Sequence, residues 1–187
     1  MTMPAVPTRR SHAGFRVYWI AAALFLSIAA VGYIPPLLLG QPFDASLLIA
    51  PMGASALLML LVPKSRYARP WTVLIANTVA AVIGLAVAHL IPSPIFASAA
   101  AMALAVAAMG ALRTIHPPSA GIALLAVSLG VQPIPVDFEF LVDKVMLSSA
   151  VLVGVSILLN SVSAPLAPAQ RHKGRAIVRC CDDSEIL

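Results

Sequence analysis

Six apolar runs, with nearly all of the charge confined to the connections between them and to the two ends of the chain, set the limits on what this chain can fold into. Four of them, at 16–39, 71–91, 95–112 and 143–162, are long enough to cross a membrane as helices, since a hydrocarbon core of about 30 Å needs about 20 helical residues. Backbone groups in lipid must be satisfied within the segment, which selects helices for runs of this kind. The other two, 47–62 and 118–129, are shorter, and each has proline and small residues near its start: Pro51-Met52-Gly53-Ala54-Ser55 and Pro117-Pro118-Ser119-Ala120-Gly121. They read as broken helices that either cross or re-enter. Composition points the same way. The chain is 60% hydrophobic and only 10% charged, against about 25% charged for a soluble domain. A soluble globular fold, a disordered chain and an ordinary nucleic-acid binder are excluded. The two cysteines, Cys180 and Cys181, are neighbours, which speaks against a zinc site and a disulfide framework. No cofactor and no metal are expected.

Charge placement orients the runs. If all six cross with the N-terminus inside, 11 of the 12 basic residues fall on the inner side: Arg9, Arg10 and Arg16; Lys64, Arg66 and Arg69; Arg113; and Arg171, Lys173, Arg175 and Arg179. Lys144 is the exception, and Asp44, Asp137, Glu139 and Asp143 fall outside. Positive residues favour the cytosolic side, so the expectation is six crossings with both termini cytosolic. Arg9, Arg10 and Arg16 resemble the charged region of a signal peptide, but the run that follows exceeds a signal's apolar region and reads as a first span. The domains expected are a cytosolic segment 1–15, a membrane domain 16–162 and a flexible cytosolic tail 163–187.

A shift of 67 residues lays Pro51 on Pro118, Ala54-Ser55-Ala56-Leu57-Leu58 on Gly121-Ile122-Ala123-Leu124-Leu125, and 71–91 on 138–158. The unit is long span, short broken span, long span, used twice. Three crossings is odd, so the second copy would be inverted. The fold expected is therefore an all-α membrane protein built as a 3+3 inverted repeat, with a site where matching interrupted segments meet.

The chemistry-bearing residues cluster at those segments. Proline disfavours helical geometry before it, so His116 and Pro117 should be extended, while Pro118 suits a first helical turn. A helix starting there offers free N–H groups and a partial positive end, which attract anions. Arg113 and His116 stand just before it, and Ser119, Ala120 and Gly121 allow close approach. The competing reading is a tight helix start with Arg113 snorkelling to headgroups. Gly53, Ala54 and Ser55 form the matching wall, or else simply a small-residue packing face. Asn77 and Asn160 lie within spans, where amides usually bond across helices; Asn77 is counted with the site. His89 near a span end reads as a capped, non-catalytic histidine.

These residues carry a family resemblance. Met109-Gly110-Ala111-Leu112-Arg113-Thr114 followed by His116-Pro117-Pro118 resembles the signature of the HPP family of integral membrane proteins. Ala50–Leu58, Pro63-Lys64-Ser65, Ala68-Arg69-Pro70-Trp71 and Asn160 are similar to its other shared positions. The likeness spans about 16–162. It implies a small multi-span bacterial-type membrane protein, often described with four spans, and plastid and cyanobacterial members are associated with nitrite transport. Met52 stands where the family commonly has an aromatic, Arg69 where it has glutamine, and Ser119-Ala120-Gly121-Ile122 where it has a run rich in glycine and threonine.

The function expected is a transporter or channel for a small monovalent anion, nitrite first, with Arg113, His116, Pro117, Pro118, Ser119, Gly53, Ala54, Ser55 and Asn77 as substrate-binding residues. The alternative is a non-transporting membrane subunit or sensor. An enzyme is not expected, because the spans hold no paired carboxylates and no nucleophile triad. The partners expected are the lipid bilayer and a small inorganic anion, with no nucleic acid and with homo-oligomer formation left open; the location expected is the bacterial inner membrane, crossed several times.

Overall fold

The computed structural model describes residues 10–40, 49–130 and 140–163. Among the described residues all regular structure is helical: α1 (Arg10–Leu39), α2 (Ile49–Leu61), a 3-10 turn (Arg66–Ala68), α3 (Pro70–Leu90), α4 (Pro94–Ala111), α5 (Ser119–Gly130), and a π-helical segment (Phe140–Leu147) leading into α6 (Ser148–Ser163). Four stretches are long and apolar enough to span a membrane: Arg16–Leu39, Pro70–Leu90, Pro94–Ala111 and Lys144–Val162. The expectations for residues 1–9, for the tail from 164 onward, and for Asp44, Asp137 and Glu139 lie outside the described residues.

The helix starts follow local chemistry. Pro70 and Pro94 open α3 and α4 at the first turn, where a missing N–H costs no intrahelical bond and φ is already helical. Pro35 and Pro36 sit inside α1 near its end, a position at which the lost backbone bonds must be made up by neighbours.

The helices sort by side-chain size and not by polarity. On α4, Ala97, Ala101, Ala105 and Met109 are buried at a spacing of four, while Ile95, Phe96, Leu104 and Val106 face outward. Lipid is as apolar as leucine, so bulky residues lose nothing by facing it, whereas small ones let helices approach closely. The core is rich in small residues, among them Ala76, Ala80, Ala81 and Ala123, while Met52, Ile122 and Leu152 fill the space between them. Closest of all is the α3–α5 crossing. A Cβ added at Gly84 would sit 2.6 Å from the Ala123 carbonyl oxygen and 2.7 Å from the Ala126 Cβ.

Two trios make the bundle. α1, α2 and α6 pack on one another, as do α3, α4 and α5; α3 with α6 and α2 with α5 join the trios. Direct contacts fix one end of the bundle. Arg16 Nη2 donates to the Leu61 carbonyl at 3.4 Å, Asn160 Nδ2 to the Met59 carbonyl at 3.2 Å, and the His116 ring meets the Tyr67 carbonyl at 2.7 Å. The connections 62–69 and 112–118 therefore share that end, and with them Arg16, Lys64, Arg66, Arg69 and Arg113.

Candidate functional site

The connection after α4 is built by its cap. The Arg113 N–H donates to the Gly110 carbonyl at 3.0 Å and the Thr114 N–H to the Met109 carbonyl at 2.9 Å. Arg113 itself is left-handed, φ 55°. This is the bonding pattern of a Schellman cap, normally closed by glycine. The cap turns the chain sharply, leaves Arg113 exposed and delivers Thr114 and His116 into the interior. Thr114 Oγ1 has no partner among the described residues.

The start of α5 differs from the expectation of free N–H groups. Ser119, Ala120 and Gly121 donate their N–H groups to the carbonyls of His116, Pro117 and Pro118 at 3.0, 3.2 and 3.0 Å. Tight bonds of the 3-10 kind consume the donors an anion would have used. The helix dipole remains, but any hydrogen bond to a ligand falls to side chains.

His116 is fully buried and has a partner on each ring nitrogen. Nδ1 donates to the Tyr67 carbonyl at 2.7 Å, which fixes the proton on that nitrogen because a carbonyl only accepts. Nε2 lies 2.9 Å from Ser55 Oγ, and Ser55 Oγ lies 3.1 Å from the Pro51 carbonyl. The Tyr67 carbonyl is held in place by the 3-10 turn, which Ser65 caps through the Tyr67 N–H. Arg66 fastens the turn further by donating to the Tyr67 hydroxyl at 3.0 Å and lying over its ring. His116 belongs to the connection and not to a helix; burial pulls its pKa below 6.5, against a smaller upward pull from the Tyr67 carbonyl.

Asn77, at the buried face of α3, joins four helices. Its Nδ2 donates to Ser149 Oγ of α6 at 2.8 Å and faces Met52 Sδ of α2 at 4.0 Å; its Oδ1 accepts from Ser119 Oγ of α5. Met52 and Ser119 correspond under the 67-residue shift, so both short segments reach the same amide. The first turns of α2 and α5 also touch directly, since a Cβ on Gly121 would lie 3.6 Å from Pro51 Cγ.

The structure thus buries Ser55, Asn77, His116 and Ser119 in two bonded groups, His116 with Ser55 and Asn77 with Ser119 and Ser149, joined by the backbone bond from the Ser119 N–H to the His116 carbonyl. Other residues named from the sequence lie around them. Arg113, Pro117 and Ala54 are exposed, Pro118 is half-buried, and a Cβ added at Gly53 would make ordinary contact with Ile28 Cδ1 of α1 at 3.8 Å. Ser149 and the Tyr67 carbonyl were not anticipated. The pair Ser148-Ser149 inside an apolar span was a usable signal; a backbone carbonyl leaves none in the sequence. Among the described residues no group of three or more histidine, cysteine or carboxylate side chains could hold a metal. His89 Nδ1 meets the Leu85 carbonyl at 2.8 Å, the local cap expected of it.

An all-helical bundle of apolar spans, with two half-length helices whose first turns meet at buried polar groups, defines the class: an integral membrane protein. The family model described as HPP, transmembrane region, matches residues 9–168, and the chain belongs to that family. No curated protein and no solved structure matches it.

Proposed function

We propose that this chain is a transporter or channel for a small monovalent anion, with nitrite as the leading substrate. The observation that carries the reading is the meeting of α2 and α5 at Pro51 and Gly121, beside the donors of Ser55, Ser119, Asn77 and His116. Short, interrupted segments in matching positions are where transporters built from inverted repeats hold their substrate. Side-chain hydroxyl, amide and imidazole N–H groups suit an anion that asks for a few hydrogen bonds and no metal. The cations Arg16, Lys64, Arg66, Arg69 and Arg113 at one end would draw anions toward it. In this reading Arg113 works at the mouth and His116 at the buried cluster. "Anion" rests on this chemistry; "nitrite" rests on the family resemblance alone.

The same proposal includes topology. The exchange of α3 and α6 between the trios supports a 3+3 inverted repeat with six crossings, and the shared cationic end supports both termini in the cytosol of a bacterial inner membrane. Cysteines placed at Lys64 and Asp137 should be labelled from opposite sides; labelling from one side overturns the topology.

Flux of nitrite, nitrate, formate and chloride into proteoliposomes tests the function. Anion flux that His116→Ala reduces is the expected result. One observation favours a second reading, a non-transporting subunit or sensor: Asn77, Ser119 and both nitrogens of His116 are already satisfied within the bundle, as in a purely structural polar core. Absence of flux, with a melting temperature that ignores all four anions, would select it.

A further inference from the structure

The Ser55 hydroxyl has one proton and two neighbours that can take it. The Pro51 carbonyl, 3.1 Å away, can only accept. His116 Nε2, 2.9 Å away, must also accept while the ring is neutral, because Nδ1 already carries the ring proton and donates it to Tyr67. In that state one of the two bonds is always missing. If the ring is protonated the conflict ends: Nε2–H donates to Ser55 Oγ, and the hydroxyl is free to donate to Pro51.

We propose that His116, Ser55 and the Pro51 carbonyl form a proton-binding site, in which a proton taken up at Nε2 turns the Ser55 hydroxyl onto the Pro51 carbonyl. One N–H bond forms, the Ser55 O–H bond stays intact and rotates about Cβ–Oγ, and the cluster gains one positive charge. The rotation links the ring to the first turn of α2, the turn that touches Gly121 of α5.

The charges around the ring give the site its partner. On the connection that supplies Tyr67 stand Lys64, Arg66 and Arg69, with the Tyr67 phenol held by Arg66. Arg113 lies on the ring's own connection, and Arg16 reaches the end of α2. Helices α2, α4, α5 and α6 carry no titratable side chain, α3 carries only His89 beyond Asn77 from this end, α1 adds Tyr18 and Tyr33 to Arg16, and Asp143 and Lys144 stand on the π-helical segment at the start of α6, the end away from this connection. Among the described residues, then, no carboxylate compensates an imidazolium here, and every nearby charge opposes it. A monovalent anion in the cluster would supply the missing negative charge. By linkage, each ligand then raises the affinity of the other, and proton and anion move together. This last step rests on the anion reading of the preceding section; the proton site does not.

Nitrogen-15-labelled histidine in the purified full-length protein, read by NMR as pH is lowered, tests the site without any anion; His116→Gln identifies its signals. The expected result is a neutral ring protonated at Nδ1 that converts to imidazolium at a pH above the one at which acid unfolds the protein, followed by circular dichroism. Ser55→Ala should lower the proton affinity about five-fold, because a charge-assisted bond is lost from the protonated form and only a neutral one from the unprotonated form. A neutral ring protonated at Nε2, a ring that stays neutral to that pH, or an unchanged midpoint in Ser55→Ala would overturn the proposal. A second arm uses proteoliposomes with an internal pH dye and a nitrite gradient, with protein-free vesicles to subtract leakage of undissociated nitrous acid. Proton entry with nitrite that His116→Gln abolishes supports the coupling. Nitrite flux without proton entry overturns the coupling, and no nitrite flux at all counts against the anion reading while the NMR result still decides the proton site.

Discussion

The first turns of α2 and α5 occupy matching places in the sequence and do different work. At α5 the chain enters through a capped turn and two prolines, and the first three N–H groups are spent on the turn itself. The result is a rigid platform that presents His116 and Ser119, clamped to α3 where Gly84 lets the Ala123 backbone in. At α2 the first two turns offer a hydroxyl, a thioether and a carbonyl and carry no charge, and a Cβ at Gly53 would meet Ile28 only at ordinary contact distance. One short helix is fixed and brings the titratable group. The other answers it. Two segments that match in register need not share their chemistry, provided both meet the same neighbour, here Asn77.

The contrast in packing is the easiest to break. Gly84→Leu should prevent α5 from seating on α3, since the added atoms meet backbone; the cost should exceed the about 1–3 kcal/mol of ordinary overpacking. Gly53→Ala should instead be tolerated and raise stability by about 0.4–1 kcal/mol through the unfolded chain. Thermal unfolding in detergent compares the two, and equal destabilisation would erase the distinction between the close approach at Gly84 and the ordinary contact at Gly53.

Asn77→Ala tests the shared neighbour. It removes bonds to Ser119 and Ser149 together, and at about 0.6 kcal/mol for an average interhelical bond in a membrane protein the loss should be about 1–2 kcal/mol. If α2 and α5 both depend on this amide, anion flux should fall in the same variant while membrane insertion persists.

A smaller effect separates the cap from the site. Arg113 holds a left-handed φ at which glycine is at home, so Arg113→Gly should raise the melting temperature by the equivalent of about 0.5–1 kcal/mol. If Arg113 also draws anions to the mouth, flux should drop in this more stable protein. A rise in stability with unchanged flux would leave Arg113 as a cap alone.

The smallest effect is the response to acid. With its pKa held below 6.5 by burial, His116 binds a proton more weakly in the folded chain than in the unfolded one. Stability should therefore be intact above about pH 6.5 and decline as pH falls from there toward the folded-state value. His116→Gln should flatten that decline, and nitrite should lessen it in the wild type. Melting temperature against pH, with and without nitrite, reads both.

Much of this bundle was legible in the sequence because lipid demands long apolar runs. The four spans fall within about a residue of their expected bounds, and the short helices lie where Pro51 and Pro118 placed them. Which face of each helix turns inward was not legible, since both faces of α4 are apolar and only size separates Ala101 from Phe96. The meeting of His116 with Ser55, 61 residues apart, depends on how α2 and α5 lie side by side, which no local pattern encodes. The free donors expected at α5 were lost for a local reason: the Pro117-Pro118 turn brings carbonyls within reach of the N–H groups that follow.

The meeting of the two short helices is open to direct measurement. A Cβ on Gly121 would lie 3.7 Å from the Pro51 Cβ, within the range of about 3.5–4.5 Å that a disulfide requires. In a background with Cys180 and Cys181 replaced by serine, Pro51→Cys with Gly121→Cys should cross-link on mild oxidation, stop anion flux, and recover it on reduction. A pair that stays reduced under oxidation, or one that cross-links and leaves flux intact, would contradict the placing of the working site between these two turns.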